Sequence, residues 1–567
     1  MGPGFRKMSS DSEQNVALSE STEVVLDARS ENAFEEKPKI RLTNVPKYLS
    51  TTALRKAVAD HLSVPSDLVV CRKGDKWNFA LFTFKAAGPL ALLGIQEIAN
   101  KLQDFKYKKH DMGVKIEEPR ARPQIQKDFD DTERPLRNLN DQVTPLWNVP
   151  YEKQLEQKQN VMASILMQYR KKLFSGASMT TYVPTHVLEP IKPSPQVTGY
   201  RNKCEFTIGW DRESKPTVGF SLGGFRDRLL VVENARDCVH VPDSIKALAN
   251  HFEAYLRSEG VLEKYPIYDR DGKKGFWRIL MVREHGNALM ATVQVQDGFV
   301  SDKTAFKNEI AGVFESFNQS ADALIKVESI YVQFTQMAHH GLSGTEPYEH
   351  VEPSKSILIE HLADLKFQIS PSSFFQVNLP ATAVLYQTIK DYTLESDKNE
   401  ARLPVLLDVC CGTGTIGMIM SKEVERVIGI EMVESAVEDA KLNADLNEIK
   451  NIQFKCAKVE SVIRDVINSI PEGVPIVVVL DPPRSGVHAD VIKTIRSSSR
   501  IDRVVFVACN PTAAVGNFVD LSRPTSKAFA GLPFTLVKAV PVDMFPQTEH
   551  CELVLQFDRI KPAVSES

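Results

Sequence analysis

Apolar positions change their spacing three times along this chain, and each change marks a different kind of structure. Residues 1–37 hold only scattered apolar side chains among Ser and Glu. Such a segment cannot bury enough surface to offset its ordering entropy and is expected to stay disordered. From residue 38 to 120, period-two and helical spacings take turns. Residues 40–45 read as a strand, and Ser50 or Thr51 caps a helix whose apolar face is Leu54, Val58 and Leu62. Residues 68–71 and 77–84 read as paired strands around a Lys73-Gly74-Asp75 turn. A second amphipathic helix over 90–102 and a strand over 114–116 complete a β-α-β-β-α-β unit.

Residues 121–150 are charged and Pro-rich, as in a linker. A helical lead-in over 151–194 follows, with Leu155, Met162, Ile165, Leu166, Tyr169 and Leu173 as a core-facing stripe. Over 195–363 short alternating runs dominate: KCEFTIGW, PTVGFSLGG, LLVVEN, WRILMVREHG, LMATVQVQ and SIYVQFTQ. Two helical stretches, 245–259 and 303–317, interrupt them, and the pattern predicts an antiparallel α+β domain. From residue 364 to the end the runs become continuous and alternate with helices near 416–420, 434–446, 459–470 and 490–495. VLLDVCCG, VERVIGIE, NIQF, IVVVLDPP, RVVFVACN, TLVKAVPVD and ELVLQF predict a seven-stranded, Rossmann-like sheet covered by helices. The expected fold class is therefore a multidomain mixture of α/β and α+β.

Composition narrows the function. The 567 residues exceed one core, and 43% hydrophobic with 25% charged residues is ordinary for packed domains. The net charge of −4 means that any nucleic-acid contact rests on local basic patches. Eight cysteines without a CxxC pair argue against zinc, an iron–sulfur cluster or a secreted disulfide framework. No apolar run approaches the roughly 18 residues of a membrane span, and no leader is evident, so cytosol or nucleus is expected. His339, His340 and His350 sit among Gly, Ser and Pro with no metal-site spacing and are expected in a turn.

Candidate chemistry gathers at the ends of the C-terminal strands, where open α/β sheets bind ligands. Asp408-Val-Cys-Cys-Gly-Thr-Gly-Thr-Ile-Gly417 formally contains GxGxxG, and Glu431 ends the next strand about twenty residues on, as a ribose-binding acid does. Both a dinucleotide and S-adenosylmethionine carry such a ribose. Asp408 favours the latter, since a carboxylate there repels a pyrophosphate and tolerates a sulfonium with an amino acid tail. Asp481-Pro-Pro-Arg484-Ser-Gly486 makes a rigid turn at the fourth strand. A carboxylate and an arginine there suit uracil, which offers an N–H and carbonyls. Cys509 in ACNP ends the fifth strand, and Glu549 and Glu552 lie in DMFPQTEHCE.

SPSSFFQVN, LDVCCGTGTIG, DPPRSG, ACNP and DMFPQTEHCE, in this order, resemble the motif series of the RNA 5-methyluridine methyltransferases over roughly the C-terminal three-quarters of the chain. The resemblance implies an S-adenosylmethionine-dependent enzyme that makes 5-methyluridine in the T loop of tRNA. Cys509 is then the nucleophile that adds to carbon 6 of uracil, and Glu552 the base that later takes the carbon-5 proton. Gln376, Cys410, Gly412, Thr415 and Glu431 match cofactor positions, and Asp481 lies between cofactor and uracil. Some relatives carry a four-cysteine iron–sulfur site that is absent here, and Cys410 stands where relatives often place an aromatic residue. The same chemistry on rRNA or mRNA, or a non-catalytic tRNA chaperone, are the alternatives. The strands IRLTNV and WNFALFTF of the first unit resemble an RNA recognition motif, with Phe79 at a base-stacking position and Arg41 and Leu81 at two others. Lys101, Lys106, Lys108, Lys109, Lys115, Arg120 and Arg122 form a basic run near its end, and Arg201, Lys203, Arg226 and Arg228 a possible basic wall in the central domain. The expected species is a monomer with tRNA as partner and no metal.

Overall fold

A computed structural model describes residues 39–46, 49–73, 77–84, 94–107, 110–117, 138–174, 187–222, 231–270, 272–336, 346–395 and 402–559. The expected N-terminal tail, Gly74 and Asp75 of the first turn, Lys108, Lys109, Arg120, Arg122, Arg226, Arg228, His339, His340 and most of the linker lie outside the described residues. The chain divides into two compact units, Met1–Pro135 and Leu136–Ser567.

In the first unit an antiparallel sheet runs in the order Val69–Arg72, Phe79–Phe84, Lys39–Thr43, Gly113–Glu117. Strict alternation decides its faces. Ile40, Leu42, Ala80 and Phe82 point inward against Leu54, Val58, Ile98 and Leu102, while Arg41, Thr43, Phe79 and Leu81 share the other face. Ser50 caps the Thr51–Leu62 helix by accepting from the Ala53 N–H.

The second unit holds two seven-stranded sheets. The central one runs Glu349–His350, Val327–Thr335, Ala288–Gln296, Trp277–His285, Lys203–Trp210, Pro216–Leu222, Val231–Asn234. The antiparallel expectation needs one correction: Ala288–Gln296 and Val327–Thr335 pair in parallel. The Lys303–Gln319 helix between them is long enough to carry the chain back across the sheet, which a hairpin turn is not. This helix and Asp243–Leu256 cover one face around Phe252, Trp277, Phe306 and Phe314.

The C-terminal sheet runs Ile452–Cys456, Arg426–Glu431, Val405–Val409, Ile476–Leu480, Ile501–Ala508, Glu552–Arg559, Phe534–Val542. Only Glu552–Arg559 runs opposite to the other six strands. The order reverses beside Val405–Val409, and this opens a crevice at the strands' carboxyl ends. Two helices that flank this sheet escaped the sequence reading. Leu379–Leu394 starts at Asn378, whose side chain accepts from Ala381 N–H, and Pro511–Ser522 starts at Asn510 with proline in the first position. Proline suits that position because its missing N–H has no partner there anyway. Residues 187–194 lie along the outer edge of Phe534–Val542, with bridges Leu188 to Ala539 and Lys192 to Val542. That edge is thereby covered. The Tyr151–Phe174 helix packs Met162, Ile165, Leu166, Tyr169 and Leu173 into the core of the C-terminal sheet.

Candidate active site

Five strand ends converge on the crevice. Register places them without reference to side chains. Val405–Val409 pairs with Ile476–Leu480, so Cys410 and Asp481 leave adjacent strands side by side, and the Asp481 N–H donates to the Val409 carbonyl at 3.3 Å. Ala508 faces Leu553 across the antiparallel pair, so the next step along the ladder brings Cys509 beside Glu552.

The turn after Val409 is shaped by backbone that only small residues tolerate. Gly414 has φ +75°, and a Cβ there would stand 2.6 Å from the Phe454 ring. A Cβ on Gly417 would meet Val427 at 2.7 Å, and its N–H instead donates to Asp408 Oδ2 at 2.9 Å. Cys410 itself has φ +63°. Thr415 is buried at the start of the Thr415–Met420 helix, its hydroxyl 3.2 Å from that of Thr413. Among the described residues Glu431 is held by backbone donors: Gly412 N–H donates to one oxygen at 3.1 Å, Met432 and Val433 N–H to the other at 2.8 and 2.9 Å.

Electrostatically this is a crowd of acids. Burial, with the nearby Asp481 and Glu431 carboxylates, pushes Asp408 up to about 7 against the pull of the Gly417 N–H. Burial pushes Asp481 up to about 7. Glu552 rises to about 8 through burial and Asp481, opposed by Arg484. The Cys509 thiol is raised by burial, then by Glu552 and Asp481, with Arg484 acting the other way. Asp408 Oδ1 and Glu552 Oε2 are buried without a hydrogen-bond partner. Orphaned carboxylate oxygens in such a place are costly unless a ligand brings donors. Glu549, by contrast, is exposed.

Gln376 approaches from a loop outside the sheet. Asn202, at the start of the central domain, donates its side-chain N–H to the Gln376 carbonyl at 3.1 Å and its backbone N–H to Val377 at 2.9 Å. Tyr386, on the Leu379–Leu394 helix, hydrogen-bonds the Gln376 side chain. Burial and the nearby Asp481, Asp408 and Glu552 hold its phenol strongly protonated. Phe374, two residues before Gln376, is 67% exposed. Sequence reasoning missed Asn202, Tyr386 and Phe374; the aromatic pair in SPSSFFQVN was the available signal for the last.

The proposed basic wall looks different in place. Lys203 is partly buried and paired with Glu205 at 2.8 Å, and Arg201 is partly buried with its N–H on the His240 carbonyl. His350 is engaged by Glu352 and Ser354 at 3.1 Å each. On the first unit, the Arg41 guanidinium lies 3.8 Å over the Phe79 ring and pairs with Glu117 at 2.7 Å. Trp77 stacks on the same ring, with centroids 4.6 Å apart. Arg41 therefore adds a planar group to this aromatic surface.

Residues 361–559 match the family tRNA (Uracil-5-)-methyltransferase. The chain is 35% identical to mouse tRNA (uracil-5-)-methyltransferase homolog A over 544 residues, 92% of this chain and 84% of the relative. It is 36% identical to human tRNA (uracil-5-)-methyltransferase homolog B over 442 residues, 74% of this chain and 84% of that one. Among solved structures it resembles the Pyrococcus abyssi tRNA (uracil-54, C5)-methyltransferase in complex with S-adenosyl-L-homocysteine, with TM-score 0.50 and 22% identity over 73% of this chain and 84% of that chain. This last likeness concerns the fold.

Proposed function

Because the chain belongs to the tRNA (uracil-5-)-methyltransferase family, we propose that it methylates carbon 5 of the T-loop uridine of tRNA, position 54 as in the archaeal relative's name, from S-adenosylmethionine. The observation that carries this reading is the meeting of Cys509, Glu552 and Asp481 at one sheet edge, beside a glycine turn and the Glu431 carboxylate that its N–H groups hold.

The residues fit the cofactor. Space over Gly412 is open where a Cβ would stand, Glu431 presents a carboxylate for ribose hydroxyls, and Asp408 Oδ1 lacks the donor that an amino group supplies. In this reading Gln376, Cys410 and Thr415 complete the cofactor's contacts. When bound, S-adenosylmethionine supplies an electrophilic methyl group. The protein must make carbon 5 nucleophilic. Cys509 does so as a thiolate adding to carbon 6, which turns the ring into an enolate. Its proton has an acceptor close by in Asp481, one of the acids that raise the thiol and itself pushed up to about 7, and this leaves Glu552 free for the later step. Asp481 and Arg484 suit the N–H and carbonyl edge of uracil. After methylation Glu552 takes the proton from carbon 5, the electron pair re-forms the ring double bond, and the Cys509 thiolate leaves. The target base must first leave its stack, at a cost of about a few kcal/mol. Mapping the labelled nucleoside after incubation of the protein with labelled S-adenosylmethionine and total RNA tests the assignment; label in rRNA or mRNA alone contradicts it.

Glu431→Ala is expected to weaken cofactor binding roughly tenfold or more, since charge-assisted hydrogen bonds contribute about 1.5–3 kcal/mol. Calorimetry with S-adenosylmethionine measures this, and unchanged affinity refutes the ribose role.

The first unit, in this reading, is an RNA recognition motif whose Arg41, Phe79 and Trp77 form a stacking surface. Stacking is worth about 1–3 kcal/mol per base. Phe79→Ala should therefore weaken tRNA binding by roughly tenfold while leaving the single-turnover rate at saturating tRNA unchanged. A large fall in that rate assigns the unit to the chemistry instead.

A further inference from the structure

Glu552 is a buried acid with an orphan oxygen, so little in its own side chain fixes its aim. Its backbone opens a strand, opposite Val542 and one step before the Leu553–Ala508 pair, and the chain is delivered to that point by the loop before it. Val542 and Glu552 face each other as the last and first residues of adjacent strands, and the nine residues between them form the connection. The first five of those residues are pinned one after another from outside the sheet. Asp543 Oδ1 accepts from Lys158 Nζ at 2.6 Å and from Phe545 N–H at 3.1 Å. Its Oδ2 accepts from the Tyr151 hydroxyl at 3.0 Å, and that hydroxyl's oxygen accepts from Ser194 N–H at 2.8 Å. Asn378 donates to the Met544 carbonyl at 3.1 Å, Lys158 to that of Phe545 at 3.0 Å and Tyr200 to that of Pro546 at 2.8 Å. Gln154 and Gln547 exchange two bonds of 2.8 Å each, Gln154 donating to the side-chain oxygen and accepting from the backbone.

Tyr151, Gln154 and Lys158 lie three and four residues apart on the Tyr151–Phe174 helix, hence on one face. Lys158 is 2% exposed and Asp543 not at all. A buried ion pair is a poor device for stability, because the desolvation cost largely cancels the attraction and an apolar pair of similar volume serves as well. What it provides is direction, through charge-assisted bonds of fixed geometry.

We propose that the Lys158–Asp543 pair, with the Gln154–Gln547 exchange beside it, is a clamp that aims Glu552 at carbon 5, making Lys158 and Asp543 positioning residues for release of the covalent intermediate. The proposal rests on the reading of Glu552 as the base. It assigns to a helix outside the matched 361–559 region a share in one step of the reaction.

The test uses the full chain with Lys158→Met/Asp543→Asn, which removes both charges and leaves no lone buried ion. Lys158→Met alone accompanies it, as the variant more prone to misfold. Adduct formation with RNA containing 5-fluorouridine reports Cys509 chemistry, and denaturation-stable adduct on natural uridine reports failed release. The double variant should form the fluorouridine adduct within about twofold of wild type, turn over natural tRNA roughly 10–100-fold more slowly and accumulate the natural-uridine adduct. Turnover within twofold of wild type overturns the clamp. So does an equal fall in fluorouridine trapping and turnover, which indicates a packing role only. Glu552→Gln, run alongside, judges the base assignment separately. Adduct with Glu552→Gln but none with the double variant overturns the clamp alone; no adduct with Glu552→Gln overturns the base assignment and the clamp with it.

Discussion

Cys509→Ala is expected to abolish both methylation and the covalent complex with RNA containing 5-fluorouridine. In the proposed mechanism the substitution removes the thiol that adds to carbon 6, and carbon 5 without that addition is too weak a nucleophile to take a methyl group. Loss of a covalent nucleophile costs about 10⁶-fold in rate in well-studied enzymes, so turnover should fall below detection. Cofactor binding should survive, because Glu431, Asp408 and the glycine turn belong to other strands. The comparison is made on denaturing gels after incubation with S-adenosylmethionine. Wild-type protein should show a shifted band and Cys509→Ala none; equal behaviour of the two means that the nucleophile lies elsewhere.

Glu552→Gln should give the opposite phenotype on natural uridine. Addition and methylation remain possible, and elimination fails, so a methylated enzyme–RNA complex should build up while turnover falls by about 10²–10⁴. Glu549→Gln should turn over normally, since Glu549 is exposed whereas Glu552 is buried. The pH dependence carries the same assignment. Glu552 sits near 8 rather than in the usual carboxylate range, so its basic form is the minor one at neutral pH. The rate of adduct resolution should rise about tenfold per pH unit below pH 8 and level off above it. The same raised value has a stability consequence of fixed sign. A carboxyl whose folded-state value lies above its unfolded value favours the folded state fully below the unfolded value, and that favour is lost as pH rises through the folded one. The ligand-free protein should therefore lose stability as pH rises from about 4, through Asp481 and Asp408 up to about pH 7 and through Glu552 up to about pH 8. A resolution rate flat from pH 6 to 9 removes Glu552 from the step.

Most of the C-terminal sheet was legible because its strands are continuous apolar runs. A strand buried on both faces needs nothing else, so VLLDV, IVVVL and RVVFVA declare themselves, and the polar residues that interrupt each run mark the ligand edge. The same logic made the stripe Met162, Ile165, Leu166, Tyr169 and Leu173 readable as a buried helix face. It could not show that Gln154 and Lys158 continue that face into the interior. Their burial depends on partners at Gln547 and Asp543, and Lys158 and Asp543 stand 385 residues apart. The parallel pair in the central sheet was hidden for a related reason, since alternation along a strand is the same whichever way its neighbour runs.

Sequence by itself thus determined most of the strands of the C-terminal sheet, much of the apolar core and which chemical groups stand where those strands end. Those properties follow from local spacing and residue type. Tertiary structure alone decided that Arg41 lies on Phe79, that Lys203 is tied to Glu205, that Asn202 reaches Gln376, and that a lysine far back in the chain holds the loop leading to Glu552. Each of these is a polar group whose meaning depends on its partner. Burying an apolar side chain is favourable against almost any neighbour, whereas burying a charge is tolerable only opposite one particular group in one geometry, and that group is named nowhere in the local sequence.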